Sequence, residues 1–210
     1  MPKKSKRSDK LSITKEKKKT LKIFYSWIFL LFAFFLALRY DVYIVRFFQA
    51  IRFPILNYFM FTITFLSSWI IFFIVSALFL IPPRTKNLIR VWITLSAVYL
   101  IGTGIKIFFA RLRPFQAGIV TTFSQFIEYF SSWNSSFPSM HAAIVFSILP
   151  FLLHEKRALR NSWIVFAVIV SLSRVYLGVH YLSDVIFGGV LGYLIGILIS
   201  KLNQRNYTRK

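Results

Sequence analysis

The sequence contains no cysteine and only six acidic residues among 210. The first absence excludes disulfides, thiolate nucleophiles and cysteine-ligated metals. The second leaves 27 Lys and Arg largely unmatched, for a formal net charge of +21. A charge of that sign can mark a nucleic-acid binder. Here, however, the bases are confined to short segments between long apolar blocks, which is where a membrane protein places them. No nucleic-acid partner is therefore expected. A small-x-small cleavage site is also missing after Leu38. The apolar run 23–38 behind the basic start thus reads as a retained span and not as a signal peptide.

What is present is apolar: 57% of the residues are hydrophobic and 19% aromatic. They gather in blocks of the length that crosses a bilayer as a helix, about 20 residues each. Six spans are expected, at 23–38, 58–81, 88–110, 139–153, 163–179 and 185–200, within one domain over 23–200. Residues 1–22 carry ten Lys or Arg and read as a disordered basic tail at a membrane surface. Residues 201–210 form a second tail. The mixed stretch 39–57 suits an amphipathic interfacial helix and an ordinary loop equally well. Pro82-Pro83 stops the second span. With six spans both termini share a side, and twenty of the 27 bases fall on it. The positive-inside rule makes that side cytoplasmic. The fold class expected is an all-α, integral membrane six-helix bundle in the cell membrane.

Three stretches then reach the opposite, extracytoplasmic face. The first runs from Lys106 to Pro114; Lys106 and Arg113 are seven residues apart, so they share a face while the helix lasts. The second is Pro138-Ser139-Met140-His141 at a helix start, where the amides of Ser139, Met140 and His141 are unpaired donors suited to an anion. The third is Ser173-Arg174, followed by His180 and Asp184. Arg174 offers a planar fork for phosphate. Asp184 lies one helical turn after His180 and can accept a ring N–H, leaving the other nitrogen free as a nucleophile. Arg174 and His180 would not share a face of an unbroken helix, so the chain must break near Gly178 if both touch one phosphate. His141 has no obvious carboxylate partner and suits general acid/base work. Fixed cations and amides neutralise developing charge without a metal or other cofactor.

These stretches resemble the signature of the phosphatidic acid phosphatase type 2 superfamily, which also includes vanadium haloperoxidases: K-x6-R-P, then P-S-G-H, then S-R-x5-H-x3-D. The chain departs from it at Met140, where glycine is usual. The resemblance covers 106–184 and implies roles. His180 forms a phosphohistidine supported by Asp184, and His141 is the acid/base. Lys106, Arg113, Ser139, Met140 (through its amide) and Arg174 hold the phosphoryl oxygens. It implies a metal-independent lipid phosphatase whose partners are the bilayer and a lipid phosphate, with oligomeric state left open. A polyprenyl pyrophosphate such as undecaprenyl pyrophosphate is the first choice of substrate. Phosphatidic acid, phosphatidylglycerophosphate and lipid A 1-phosphate stand behind it.

Each residue also has a plainer role. Lys106 can snorkel, Arg174 and Asp184 can be a structural ion pair, and a lone His141 can be a packing histidine. None of these predicts three spaced motifs on one face. His154 keeps the plain role. Gly188, Gly192 and Gly196 read as close helix packing, inside the subunit or between subunits. The rivals are a lipid phosphotransferase, a haloperoxidase, a non-catalytic membrane scaffold and a transporter. Six spans argue against the haloperoxidase and both histidines against the scaffold. Against the transporter stands the absence of repeated halves with interrupted helices.

Overall fold

The computed structural model describes residues 3–68, 70–82, 84–122, 135–153 and 155–202. The expectations for 123–134, His154 and most of the C-terminal tail lie outside that set. Every regular element among the described residues is helical. Helix α1, Lys3–Ala50, is continuous for 48 residues. Neither Gly nor Pro interrupts it, and its Lys-rich start is composed of good helix formers. The basic stretch expected to be disordered is therefore helical from Lys3, and 39–50 continues the same helix. The chain divides into two compact units, Met1–Arg39 and Tyr40–Lys210.

In the second unit, Pro54 occupies the first turn of α2, Pro54–Leu66, where its missing N–H costs nothing. Helix α3, Ile70–Leu80, follows at a 59° bend. The second expected span is thus a broken pair. A short 3-10 turn, Arg84–Asn87, leads into α4, Leu88–Phe109. Ala110 ends α4 in the left-handed region (φ 44°), and its N–H reaches Lys106 O at 3.0 Å. Helices α5, Met140–Ser147, and α6, Leu149–Leu152, are followed by α7, Arg157–Tyr176, and α8, Leu182–Lys201.

Four helices among the described residues are long and apolar enough to cross a membrane, and the α2–α3 pair makes a fifth if it counts as one span. The expected fourth span is different in kind. Met140–Leu152 is too short to cross a bilayer. Ala142, Ala143, Val145, Ile148 and Leu152 are all fully buried. An apolar stretch of this length is a core helix, because its sheath is other helices and not lipid. Among the described residues, four or five of the six expected spans therefore have the length and composition of a membrane crossing.

Helix α5 packs most extensively on α8 and also meets α4 and α7. Glycine permits the first contact. A Cβ on Gly192 would lie 1.9 Å from Ala143 O, and one on Gly188 would lie 2.4 Å from Ser139 O. Backbone meets backbone here, so the glycine repeat packs within the chain. Around this axis sits one large apolar core including Ile71, Phe79, Val91, Val98, Phe151 and Trp163. Ile107, Phe108, Ile89, Phe73 and Leu100 are broadly exposed on the outside, as lipid-facing side chains are. This is a membrane protein. One end of the helices brings together the C-terminal ends of α2, α4 and α7 with the N-terminal ends of α5 and α8.

Candidate active site

The corner between α7 and α8 is built by Gly178. Its φ of +75° lies in the left-handed region, which glycine enters without cost. The turn closes on Arg174, whose carbonyl accepts from both Val179 N and His180 N at 3.2 Å. Helix α8 starts only at Leu182. His180 thus stands in the turn, and the break expected near Gly178 is present. Asp184 belongs to the first turn of α8, and its Oδ2 accepts from Tyr181 N at 2.9 Å. The two residues meet across a corner and do not share a helix face.

The His180 ring is 2% exposed. Its Nδ1 is 3.6 Å from Asp184 Oδ2 and 3.5 Å from Ser136 Oγ. Ser136 Oγ also donates to Asp184 Oδ2. On the other side of the ring, Nε2 is 3.4 Å from Arg113 Nη1. With its proton on Nδ1, on the side of Ser136 and the carboxylate, the ring would turn the Nε2 lone pair toward the cation. Burial pushes the pKa of His180 well below the usual histidine value, and Arg113, Lys106 and Arg174 push the same way. The ring is neutral at neutral pH.

Three of the expected phosphate ligands, Arg113, Lys106 and Arg174, act electrostatically on this ring. Arg113 is buried and donates through Nη1 to Val179 O at 2.8 Å. Burial lowers its pKa to about 10 against the opposing pull of Asp184. Lys106 is buried in the last turn of α4, with Nζ on Ser135 O at 2.5 Å. Arg174 Nε and Ser139 Oγ are buried without a hydrogen-bond partner. A buried polar atom in that state is costly, and an anion reaching each would satisfy it.

Two expectations at the start of α5 change. The amide of Ser139 is not an unpaired donor, because it donates to Asp184 O at 3.0 Å. That bond is possible because Gly188 lets the two backbones touch. Ser139 is left with its hydroxyl. The Met140 side chain packs toward α4, where its Sδ lies 2.3 Å from the place a Cβ on Gly102 would take. His141, expected to lack a carboxylate partner, meets a hydroxyl: Nε2 is 3.0 Å from Ser68 Oγ, at the α2–α3 bend. Ser68 Oγ donates to Thr64 O at 3.0 Å. Ser68 Oγ thus stands at 3.0 Å from two groups, Thr64 O and the His141 ring.

Sequence reasoning missed Ser136, Ser68, Arg111 and Asp41. Arg111 Nη1 donates to Asp184 Oδ1 at 2.6 Å, and Nη2 donates to Asp41 Oδ2 at 2.8 Å. Arg111 hides among the six residues between Lys106 and Arg113. Asp41 lies 143 positions before Asp184. The scarcity of acids was the one available signal, since a carboxylate in so basic and apolar a chain needs a reason.

The family model of the PAP2 superfamily matches residues 86–208. The chain is 34% identical over 138 residues to an undecaprenyl-diphosphatase of Sulfolobus acidocaldarius, covering 65% of each chain. It is 27% identical over 162 residues to a lipid A 4'-phosphatase of Porphyromonas gingivalis, covering 73% of this chain and 69% of that one. These alignments span about two thirds of each relative's length. The crystal structure of a transmembrane PAP2-type phosphatidylglycerolphosphate phosphatase from Bacillus subtilis superposes with a TM-score of 0.67 at 25% identity. That match covers 85% of this chain and 96% of the other. The matched region contains the whole constellation from Lys106 to Asp184, and the chain belongs to the PAP2 superfamily.

Proposed function

We propose that this protein is a membrane lipid phosphatase that works through a phosphohistidine, and that its first substrate is a polyprenyl pyrophosphate such as undecaprenyl pyrophosphate. The observation that carries the reading is the His180 ring, held between Asp184 on Nδ1 and the cationic wall of Arg113 on Nε2. Beside it, Arg174 Nε and Ser139 Oγ are buried and unpartnered.

In the first step the Nε2 lone pair of His180 attacks phosphorus. The bond from phosphorus to the leaving oxygen breaks, and that oxygen takes a proton from His141, which enters the step as the imidazolium once the phosphate anion is bound. In the second, water attacks phosphorus and gives a proton back to His141. The P–N bond breaks, inorganic phosphate leaves, and His180 recovers its lone pair. Asp184 stabilises the cation formed on His180. Lys106, Arg113, Arg174, Ser139 Oγ and the Met140 amide bind the phosphoryl oxygens, whose charge grows toward the transition state. Those cations perform the neutralisation that a metal performs elsewhere, so no metal is needed. The undecaprenyl-diphosphatase relative favours a pyrophosphate, and the broad apolar exterior suits a substrate that arrives from the bilayer.

The site end faces the extracytoplasmic side in this reading. The opposite end carries Arg84, Lys86, Arg90, Arg157 and Arg160, which the positive-inside rule assigns to the cytoplasm. Because the chain lacks cysteine, the exposed Ala117 and Lys86 can each be replaced by cysteine and labelled cleanly. Ala117→Cys should react in intact cells and Lys86→Cys only after permeabilisation; the reverse pattern inverts the topology. For function, purified protein in detergent should release phosphate from undecaprenyl pyrophosphate, with chelator present, faster than from phosphatidic acid, phosphatidylglycerophosphate or lipid A. A different order reassigns the substrate. A requirement for added divalent metal removes the metal-free mechanism.

A further inference from the structure

We propose that Asp41 and Arg111 are positioning residues that together set the orientation and the charge of Asp184, and through it the basicity of His180. The inference rests on the phosphohistidine reading above.

The arrangement is a closed network in which two buried carboxylates share a partly exposed arginine. Arg111 leaves the end of α4 and gives Nη1 to Asp184 Oδ1 at 2.6 Å and to Ser183 Oγ at 2.8 Å. Its Nη2 goes to Asp41 Oδ2 at 2.8 Å. The Tyr181 ring lies 4.0 Å from the guanidinium carbon. Asp41 also accepts from Ser183 N at 3.0 Å and Ser183 Oγ at 2.5 Å. Asp41 and Asp184 are 2% and 0% exposed. Asp184 Oδ1 is thus committed to Arg111, while Oδ2 serves Ser136, Tyr181 N and His180. One oxygen is clamped so that the other stays aimed at the ring.

The charges have matching logic. Burial disfavours the Arg111 cation, yet Asp184 and Asp41 outweigh it and raise its pKa. Arg111 facing Asp184 alone would draw off the carboxylate charge that His180 needs. Asp41 divides the guanidinium's pull, so that two carboxylates share one cation and net negative charge remains beside Nδ1. Among the described residues, the other charged or titratable groups facing this corner are Lys106 from α4, Arg113 from the following loop, Arg174 and Tyr176 from α7, His141 from α5, Arg52 from the turn before α2 and Tyr181 from the corner itself. They are the same in every variant below. A plain structural pin between α1 and α8 would alter stability and leave the proton affinity of His180 where it is. The proposed network makes the two ends act with opposite sign. Loss of the Arg111 charge makes His180 more basic, and loss of the Asp41 charge makes it less so.

The test uses the full-length protein in detergent with isotope-labelled histidine. The ring of His180 is titrated by NMR, its signal identified by loss in His180→Asn. In Arg111→Met the titration should rise by about one pH unit, the scale of a nearby charge, and Arg111→Lys should bring it back. In Asp41→Asn the acid limb of kcat/KM should move to lower pH, with kcat down about tenfold and KM within about twofold, as for a loss felt in the transition state. In an Asp184→Asn background, Arg111→Met should shift the ring by less than half as much. An unchanged His180 titration in Arg111→Met, or shifts of the same sign in both variants, overturns the proposal and leaves a structural pin. Far-UV circular dichroism checks folding, and Arg111→Gln replaces Arg111→Met if the latter unfolds. The NMR arm needs no turnover. A wild-type protein that releases no phosphate from any lipid phosphate would therefore sink the functional reading while the titration still decides this one.

Discussion

Two breaks in the helical frame each hold one histidine, and they hold it by opposite chemistry. At the α7–α8 corner, His180 faces a carboxylate that is itself clamped by an arginine, a serine and a backbone amide. At the α2–α3 bend, His141 faces one neutral hydroxyl, Ser68, whose hydrogen is given to Thr64 O. The difference fits the two tasks. A ring that becomes a cation when it takes phosphorus gains from a fixed anion behind it. A ring that must give and take a proton at similar ease would be hindered by one, because a carboxylate would hold the proton. In the proposed mechanism the carboxylate at one break and the hydroxyl at the other divide nucleophile from acid/base without any difference in the side chain itself.

Breaking the charged corner should have the largest effect. His180→Ala removes the atom proposed to bond phosphorus, and phosphate release should fall by about a thousandfold or more. Asp184→Asn keeps the shape and loses the charge, with an expected loss of about 10²–10⁴-fold. Single-turnover assays that trap labelled phosphoprotein in the wild type and not in His180→Ala check the assignment. Normal turnover in that variant would falsify it.

The frame that brings the two breaks together comes next. Gly192→Val places a side chain where Ala143 O already sits. Overpacking of this kind costs about 1–3 kcal/mol, and here the backbone has nowhere to move. A lower melting temperature with loss of activity is expected, whereas a change on the outward face such as Leu198→Val should leave both nearly intact. A stable and fully active Gly192→Val would mean that α5 and α8 can separate without disturbing the site.

The neutral bend should be the milder one. Ser68→Ala removes a single hydrogen bond, on the order of 1 kcal/mol and so roughly tenfold in rate. The loss should fall on kcat, with Ser68→Thr recovering part of it. A loss as large as that of Asp184→Asn would erase the contrast between the corners.

The smallest effect sharpens the comparison and needs no mutation. His180 titrates well below its usual range because it is buried among Arg113, Lys106 and Arg174. The ring therefore stays neutral and nucleophilic as pH falls through about 6.5, the unfolded value. The acid limb of kcat/KM should lie below that pH. Stability behaves differently. Below about 6.5 the unfolded chain takes up a proton that the folded ring resists, so folding weakens as pH drops. A rate profile that collapses with a midpoint near 6.5 while the protein stays folded would show an ordinary, solvent-like histidine.

How much of this was legible depended on sequence distance. Lys106, Arg113, Ser139, His141, Arg174, His180 and Asp184 stand in three short motifs whose spacing is local, and the break at Gly178 follows from the angle between Arg174 and His180 on a helix. The helix count was less legible. Apolar content cannot tell a helix sheathed by lipid from one sheathed by protein, so Met140–Leu152 read as a span. The pairing of the Ser139 amide was hidden too, because it needs Gly188 of another helix to approach.

By itself the sequence determined the helical class, the apolar lengths that suit a membrane and the identity of the residues proposed to hold phosphate, since periodicity and motif spacing are properties of neighbours along the chain. Only the tertiary structure decided which group stands behind each histidine. Asp41 reaches the Asp184 corner through Arg111, and Ser68 reaches His141 from 73 residues away. Such pairs form because buried polar groups must find partners wherever packing places them, and the distance along the chain does not record where that is.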